Sequence, residues 1–356
     1  MKSPFRFYIL KINTGNPSSF LLGSAIPVSD RPIQLLVALS FLVNIAGLFT
    51  PVMGPDGALY ASISKTMVLN HNYTDLLVYG KDWLDKPHFP FWAAAISFKL
   101  FGINTWSYKL PALIFSLAAA YYTWRLAKEL YDKTIADWST VILLTSQHFI
   151  ISNNDVRAEP YLTGMIIASV YYYYKAYKTN QSGYLVAGSF FSALAVMTKG
   201  LFALVPVFCA ITGGVAGDGN WKKLFQIKWL LAILLVAIFI TPELAALWIQ
   251  FGSHPEKLIF GKSGTSVFRF FFWDSQFGRF TNTGPIKGTG NFFFFFHTLL
   301  WAFSPWVILL YGGILNFIIK RNRDNIRYKD FFTFSGALFP FLMFSLSSFQ
   351  LAHYTN

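Results

Sequence analysis

The sequence predicts an all-α polytopic membrane protein, and three observations carry that prediction. Of 356 residues, 54% are hydrophobic and only 13% charged, whereas a soluble domain has about 25% charged residues. Aromatic residues make up 19%, which with so little charge excludes a disordered chain. The apolar residues also fall in blocks of roughly the 17–25 residues that a helix needs to cross a bilayer. A lone cysteine, Cys209, in an apolar run excludes a disulfide framework and any cysteine-based zinc or redox motif. The net charge of +13 fits cytoplasmic loops rich in Lys and Arg and sites that hold lipid phosphates. No compact basic run interleaved with stacking aromatics appears, so nucleic acid is not an expected partner.

The blocks lie near 33–50, 106–127, 134–151, 158–176, 183–198, 200–216, 229–250, 297–319 and 331–348. Backbone polar groups in hydrocarbon must be satisfied within the segment, so each block is expected to be helical. The first follows a basic tail, 1–32, with Lys2, Arg6, Lys11 and Arg31, and no small-residue cleavage site succeeds it. An uncleaved first span results, and residues 33–356 form one multi-pass domain. The run Phe89–Phe98 is too short to cross and suits a helix lying in the interface. On that reading the loops 125–133, 175–182, 217–228 and 320–330 share one side. Arg125, Lys128, Lys133, Lys175, Lys178, Lys222, Lys223 and Lys228 lie there, with five more basic residues in the last loop. The opposing hairpins 152–157 and 198–200 hold one each, Arg157 and Lys199. The basic side is the cytoplasm. The amino terminus is then inside, and segments 51–105 and 251–296 lie outside, where function is expected.

Residue chemistry points the same way. All six histidines, His71, His88, His148, His254, His297 and His353, fall outside or at outer helix ends. Asp56 stands in Pro-Asp-Gly just past the first span. It reads either as a partly desolvated general base or as a turn residue. Lys86, in Trp83-Leu-Asp-Lys-Pro-His-Phe-Pro90, is a cation at head-group height that either meets a phosphate or snorkels. Asp155, Arg157 and Glu159 alternate before Pro160 at a helix mouth. There an acid is favoured by the helix dipole, and ionisable residues at membrane depth also suggest a site. Lys199, in Met197-Thr-Lys-Gly200, is a lone cation at a break between two short apolar helices.

These residues carry a resemblance. The run Asp56-x-x-x-Tyr60-Ala-x-Ile-Ser64, the Asp-Lys86-Pro87 before an aromatic-rich helix ending Leu100-Phe-Gly102, and Trp106-x-x-Lys-Leu-Pro111 opening a span resemble polyprenyl-phosphate-dependent glycosyltransferases. The likeness is greatest to the lipid A aminoarabinose transferases, relatives of the protein O-mannosyltransferases. Arg157-x-Glu159 and Thr-Lys-Gly200 fall where that family has its second acid and its lysine turn. The match runs from about Ile33 to Phe202.

The resemblance implies a GT-C fold, with outer-face juxtamembrane helices on a helical membrane domain. It implies inverting transfer of a sugar from a polyprenyl-phosphate donor to a hydroxyl or phosphate of a lipid A-like lipid, a glycan or a protein. The place implied is the outer face of a bacterial cytoplasmic membrane. Asp56 and Glu159 become the expected catalytic acids, and Tyr60, Lys86, Asp155, Arg157 and Lys199 the expected substrate-binding set. No cofactor is required, although the resemblance makes Asp85 and His254 candidate zinc ligands with His88 a third. The chain departs from the pattern where Gly57 replaces a second acid, His88 a second proline, Lys109 an arginine and Glu159 an aspartate. It is also expected to lack the family's carboxyl-terminal part. A transporter or flippase of a lipid-linked precursor is the alternative, but it calls for ionisable residues at mid-span.

The topology is directly testable by labelling. In a Cys209→Ala background, an impermeant maleimide is expected to label Thr283→Cys and not Asn322→Cys in intact cells. Labelling at 322 and not at 283 would mean that the segment 89–105 crosses.

Overall fold

The computed structural model describes residues 30–320 and 328–355. Most of the basic tail and most of the basic loop 320–330 fall outside the described residues. Helix α1 (Asp30–Ala46) runs into a 3-10 turn, Gly47–Phe49. Helix α2 (Pro55–Leu69) starts with proline in its first turn, where a missing N–H has no helical partner in any case. Strands β1 (Leu77–Val78) and β2 (Lys81–Asp82) form a small antiparallel hairpin, Leu77 opposite Asp82. Its turn residues Tyr79 and Gly80 both have positive φ, 50° and 75°, the twist that a two-residue hairpin needs. The segment 51–105, expected to lie outside, is therefore largely built from α2 and α3 (Phe89–Phe101), not an irregular loop.

Helix α4 (Thr105–Leu130) opens on a reciprocal cap between Asn104 and Ser107. Next come α5 (Lys133–Thr145), α6 (Gln147–Asn154), α7 (Glu159–Thr179), α8 (Ser182–Lys199) and α9 (Val205–Asp218). Then follow α10 (Ile227–Phe239), α11 (Thr241–Leu247), the short turns α12 (Val267–Arg269) and α13 (Phe277–Phe280), and α14 (Phe294–Ala302). The chain continues through α15 (Val307–Lys320) and α16 (Tyr328–Ser345) to a 3-10 turn, Ala352–Thr355.

Three of the expected single spans are each two helices. The block 134–151 divides at Ser146, whose backbone is extended, and the freed Gln147 N–H donates to Ser304 O at 2.9 Å. The block 229–250 divides before Pro242, which starts α11 without an N–H to give. The block 297–319 divides between Ala302 and Val307 around Pro305. By length and apolar content, three helical stretches among the described residues suffice to cross a bilayer: Pro32–Phe49, Leu201–Asp218 and Ile227–Gly252. Helix α3, with 13 residues, rises only about 20 Å and falls short of the roughly 30 Å of hydrocarbon.

Packing follows the logic of helices in lipid, where small residues let backbones approach and side-chain hydrogen bonds join them. Helix α7 lies against α4 and α8. At Gly164 even a methyl group would come within 2.2 Å of the Phe115 carbonyl of α4. Ser169 and Ser192 join α7 to α8 at 2.6 Å. Asn153 of α6 bonds Asn44 of α1 and Ser116 of α4, both at 2.5 Å, and Asn44 reaches the Leu144 carbonyl at 2.8 Å. Lys109 of α4 is fully buried. Its ammonium donates to Gly47 O at 3.0 Å, Thr50 O at 2.7 Å and Thr50 Oγ1 at 2.8 Å. Gly47 O also accepts from Thr50 N–H at 3.4 Å, and the cation ties these acceptors beyond the end of α1 together just ahead of Asp56.

Lys109→Met is expected to destabilise the protein by about 2–4 kcal/mol, because buried acceptors lose a charged donor. A lowered unfolding midpoint in detergent checks this; an unchanged midpoint would mean that water satisfies those carbonyls.

Candidate active site

Segments far apart in sequence meet in three groups of charges. Asp85 and Lys86, between β2 and α3, pair with each other, and Arg279 of α13 pairs with the other Asp85 oxygen. Two cations, only 14% and 13% exposed, share one carboxylate. Arg279 Nε is buried with no partner among the described residues. Burial pushes the Lys86 ammonium below its ordinary pKa; Asp85 opposes this, and the Arg279 charge adds to it. Burial would raise the Asp85 carboxyl, but Lys86 and Arg279 outweigh it and hold it below the usual range.

The second group pairs Glu159, first residue of α7, with Lys199, last of α8, at 2.6 Å. Gly200 ends α8 at φ 87°, and a side chain there would run into Gln276 at 2.2 Å. Lys199 lies 4.2 Å from the centre of the Tyr354 ring. His353 Nε2 is 3.7 Å from Glu159 Oε1. Burial, helped by Lys199, Arg157 and Lys86 and opposed by Glu159, pushes His353 down to about 3. The ring is neutral. Arg157 donates to its Nδ1 at 3.1 Å, so Nε2 carries the hydrogen.

The third group is centred on Arg157, which holds Asp56 at 3.2 Å and Asp155 at 3.0 Å. Asp155 accepts from Gly54 N–H at 3.1 Å and so anchors the start of α2, carrying Asp56 in its first turn. The Asp56 side chain is 51% exposed, half withdrawn from solvent. The loss of a second acid after Asp56 has a steric cause. A Cβ at position 57 would stand 2.6 Å from Asp155 Oδ1, so Asp155 supplies a carboxylate where a side chain at 57 would go. Tyr60 is buried, its ring edge-on to Trp83 and Phe91. Burial and the charges of Glu159, Asp85 and Asp56 push its phenol well above the ordinary range.

A cavity of about 440 Å³ connects the first two groups. Asp85, Lys86, Glu159, Lys199, Arg279 and His353 line its polar part, and apolar residues of α7, α9, α14 and α16 line the remainder. Asp56, Tyr60, Asp155 and Arg157 stand outside the lining, linked to it through the Arg157–His353 contact. A charged head and an apolar flank suit an amphiphilic anion.

Beneath this cavity a further pair was not singled out by sequence. His88 and Glu243 are both fully buried. His88 Nδ1 lies 2.9 Å from Glu243 Oε1, and the His88 backbone N–H donates to Glu243 Oε2 at 3.0 Å. The other ring nitrogen faces the Thr74 carbonyl at 2.9 Å. Burial alone would lower the His88 pKa, but Glu243 and these hydrogen bonds raise it. Both ring nitrogens are thus engaged, one by the carboxylate and one by a carbonyl.

The residues nominated for zinc do not fit that metal. Asp85 is taken by Lys86 and Arg279. Exposed His254 pairs with Glu256 at 3.0 Å, and His88 with Glu243. No group of three or more His, Cys, Asp or Glu placed to hold a metal occurs among the described residues, while zinc sites use three or four protein ligands.

Arg279, His353 and Tyr354 are the site residues that sequence reasoning did not nominate. His353 had stood out only as one of the outer histidines. Arg279 had a weak signal in the isolated basic residue of Gln276-Phe-Gly-Arg279, within an aromatic outer segment.

The fold and site define a class, a helical membrane protein of GT-C architecture with a cavity that joins clustered charges to an apolar wall. The comparisons sharpen it. Residues 85–246 match the dolichyl-phosphate-mannose-protein mannosyltransferase family. The undecaprenyl phosphate-alpha-4-amino-4-deoxy-L-arabinose arabinosyl transferase of Enterobacter sp. (strain 638) is 24% identical over 330 residues, 90% of this chain and 56% of that protein. The protein of that name from Serratia proteamaculans (strain 568) is 25% identical over 338 residues, 90% of this chain and 55% of its own. ArnT from Cupriavidus metallidurans bound to undecaprenyl phosphate superposes with a TM-score of 0.76 at 19% identity, covering 92% of this chain and 57% of that one. Its apo state gives 0.72. The chain shares the fold of ArnT and resembles the polyprenyl-phosphate glycosyltransferases, as its motifs implied. It spans a little over half the length of the relatives it matches.

Gly57→Asp, which restores two consecutive acids, is expected to destabilise the protein by about 1–3 kcal/mol through overpacking against Asp155. Adding Asp155→Gly should recover most of the loss in unfolding midpoint. A Gly57→Asp variant as stable as the parent would contradict the steric account.

Proposed function

We propose that this chain transfers a sugar from a polyprenyl-phosphate donor to an acceptor hydroxyl or phosphate, with inversion, at the outer face of a bacterial cytoplasmic membrane. The carrying observation is that Lys86 and Arg279 share the single carboxylate of Asp85 at the polar end of an otherwise apolar cavity. That group has a net positive charge facing the cavity, and Arg279 Nε is a buried donor without a partner among the described residues. The donor phosphate sits there and the isoprenoid extends along α7, α9 and α16. The acceptor enters from the half-exposed side of Asp56. Its oxygen bonds to the anomeric carbon opposite the phosphate, and the carbon–phosphate oxygen bond breaks with its electron pair going to the phosphate. Asp56 takes the acceptor's proton. Lys86 and Arg279 receive the charge that develops on the leaving group.

Glu159 is the second acid. Held by Lys199 inside the lining, it faces the sugar, with neutral His353 beside it. Asp155 and Arg157 hold Asp56 rather than substrate, and Tyr60 packs behind Asp56. The named relatives are transferases, which favours transfer over a transporter or flippase. A lipid A-like lipid, a glycan or a protein each offers a suitable acceptor group.

Release of labelled sugar from a polyprenyl-phosphate donor in detergent tests the reading. Asp56→Asn is expected to lower turnover about 10²–10⁴-fold, since an amide cannot accept the proton, with membrane insertion intact. Near-normal turnover in that variant would sink the assignment of the base. Absence of any transfer by the parent protein with every acceptor class would sink the activity.

A further inference from the structure

We infer that His88 and Glu243 are positioning residues that fix the height of Lys86 in the cavity wall, a latch joining the outer segment to the membrane helix α11. The inference rests on the proposed reading of Lys86 as the donor-phosphate cation.

The geometry begins with Glu243. It is the acidic residue of the first turn of α11, within the apolar stretch Ile227–Gly252, where an ionisable residue is costly without a partner. Its carboxylate is fully buried and reaches one residue twice, through the His88 backbone N–H and the His88 ring. The other ring nitrogen of His88 bonds onward to Thr74 O. Thr74 belongs to a turn in which Asn72 Oδ1 accepts from both Thr74 N–H and Asp75 N–H, at 3.0 and 3.1 Å. One residue thereby ties α11, the loop after α2 and the start of α3.

Lys86 is two residues away across Pro87. The proline ring fixes its own φ and keeps Lys86 out of the helical region, so little freedom remains between the held His88 backbone and the Lys86 Cα. His88 also precedes α3, and Trp92 N–H donates to its carbonyl at 3.0 Å. The Glu243 carboxylate thus receives a free N–H at the start of α3, where negative charge is favoured by the helix dipole. Glu243 itself lines the same cavity as Lys86. The resembling family has a second proline where this chain has His88. Proline can neither donate from its nitrogen nor reach Thr74, so the latch is a feature of this chain's own sequence.

The test uses the full chain in detergent, with binding of radiolabelled undecaprenyl phosphate and sugar release as readouts. Glu243→Gln and His88→Ala are each expected to weaken binding on the order of tenfold, the effect of losing a buried charged hydrogen bond. KM for the donor should rise more than kcat falls. His88→Asn keeps a donor near the Nδ1 position and is expected to restore most of the affinity that His88→Ala loses.

A cycle with Lys86→Ala decides the mechanism. If the latch acts through Lys86, Glu243→Gln costs nothing further once Lys86 is gone. Equal, additive losses in both backgrounds would overturn the inference, as would unchanged binding in Glu243→Gln protein with a normal unfolding midpoint. Should Glu243→Gln fail to fold, the His88→Ala and His88→Asn pair carries the same cycle. If Lys86→Ala itself leaves binding unchanged, the reading of Lys86 as the phosphate cation fails first, a separate outcome from failure of the latch.

Discussion

A charge withdrawn from water at the depth of a bilayer costs several kcal/mol unless a partner of opposite sign meets it, and the whole site is arranged around that constraint. Lys86 and Arg279 have Asp85, Lys199 has Glu159, Arg157 has Asp56 and Asp155, and the His88 ring has Glu243. Apart from the buried His88–Glu243 pair, four cations face four carboxylates, so these groups are neutral as a whole. They are not all neutral one by one. The Lys86 group has one positive charge in excess and the Arg157 group one negative, with the balanced Glu159–Lys199 pair and a neutral His353 between them. That polarity runs from where a proton is taken to where a phosphate leaves, so the electron flow of the proposed transfer follows a field already in place.

The scaffold's irregularities serve the same arrangement. Asp56 reaches its place because Lys109 gathers the carbonyls at the end of α1 and Asp155 seats the beginning of α2. Lys199 projects from the last turn of α8 because Gly200 stops the helix in a conformation that other residues rarely adopt. The break before Pro242 lets α11 begin where Glu243 can meet His88. Each device uses a helix end, where unpaired backbone groups are available to hold or be held by a charge.

Helix ends are also what made part of the site legible. Asp56, Lys86, Glu159 and Lys199 all adjoin Pro or Gly at an apolar boundary, a local signal that needs no knowledge of the fold. Asp155 and Arg157 were found the same way, although their contacts place them around Asp56. Arg279, next to Gly278 in an aromatic segment, left only a weak trace of this kind, and His353 left none. Their partners Asp85 and Glu159 lie more than 190 residues away, and the pairing is a property of the packed fold. The breaks at Ser146, Pro242 and Pro305 were hidden for a different reason. Their short polar runs, Thr145-Ser146-Gln147-His148 and Thr241-Pro242-Glu243 among them, sit between long apolar stretches, and a freed backbone group can be satisfied by a neighbouring segment, as Gln147 N–H is by Ser304, and not by exposure to water.

The shared carboxylate at the phosphate site has a thermodynamic consequence of its own. With Asp85 in place, Lys86 and Arg279 present one unit of positive charge. On the proposed reaction the donor is a phosphodiester with one negative charge, which that excess matches. Once the sugar has moved, the remaining polyprenyl phosphate is a monoester carrying about −1.5 to −2, more than the cations can balance while Asp85 stays ionised. Lys86 and Arg279 hold Asp85 below the usual carboxylate range. Its repulsion scales with the charge on the phosphate, so it weakens the hold on the product more than the hold on the donor. Two cations without Asp85 would hold the leaving phosphate more tightly still; with Asp85 the site stabilises charge as it develops and keeps about half of that preference for the product.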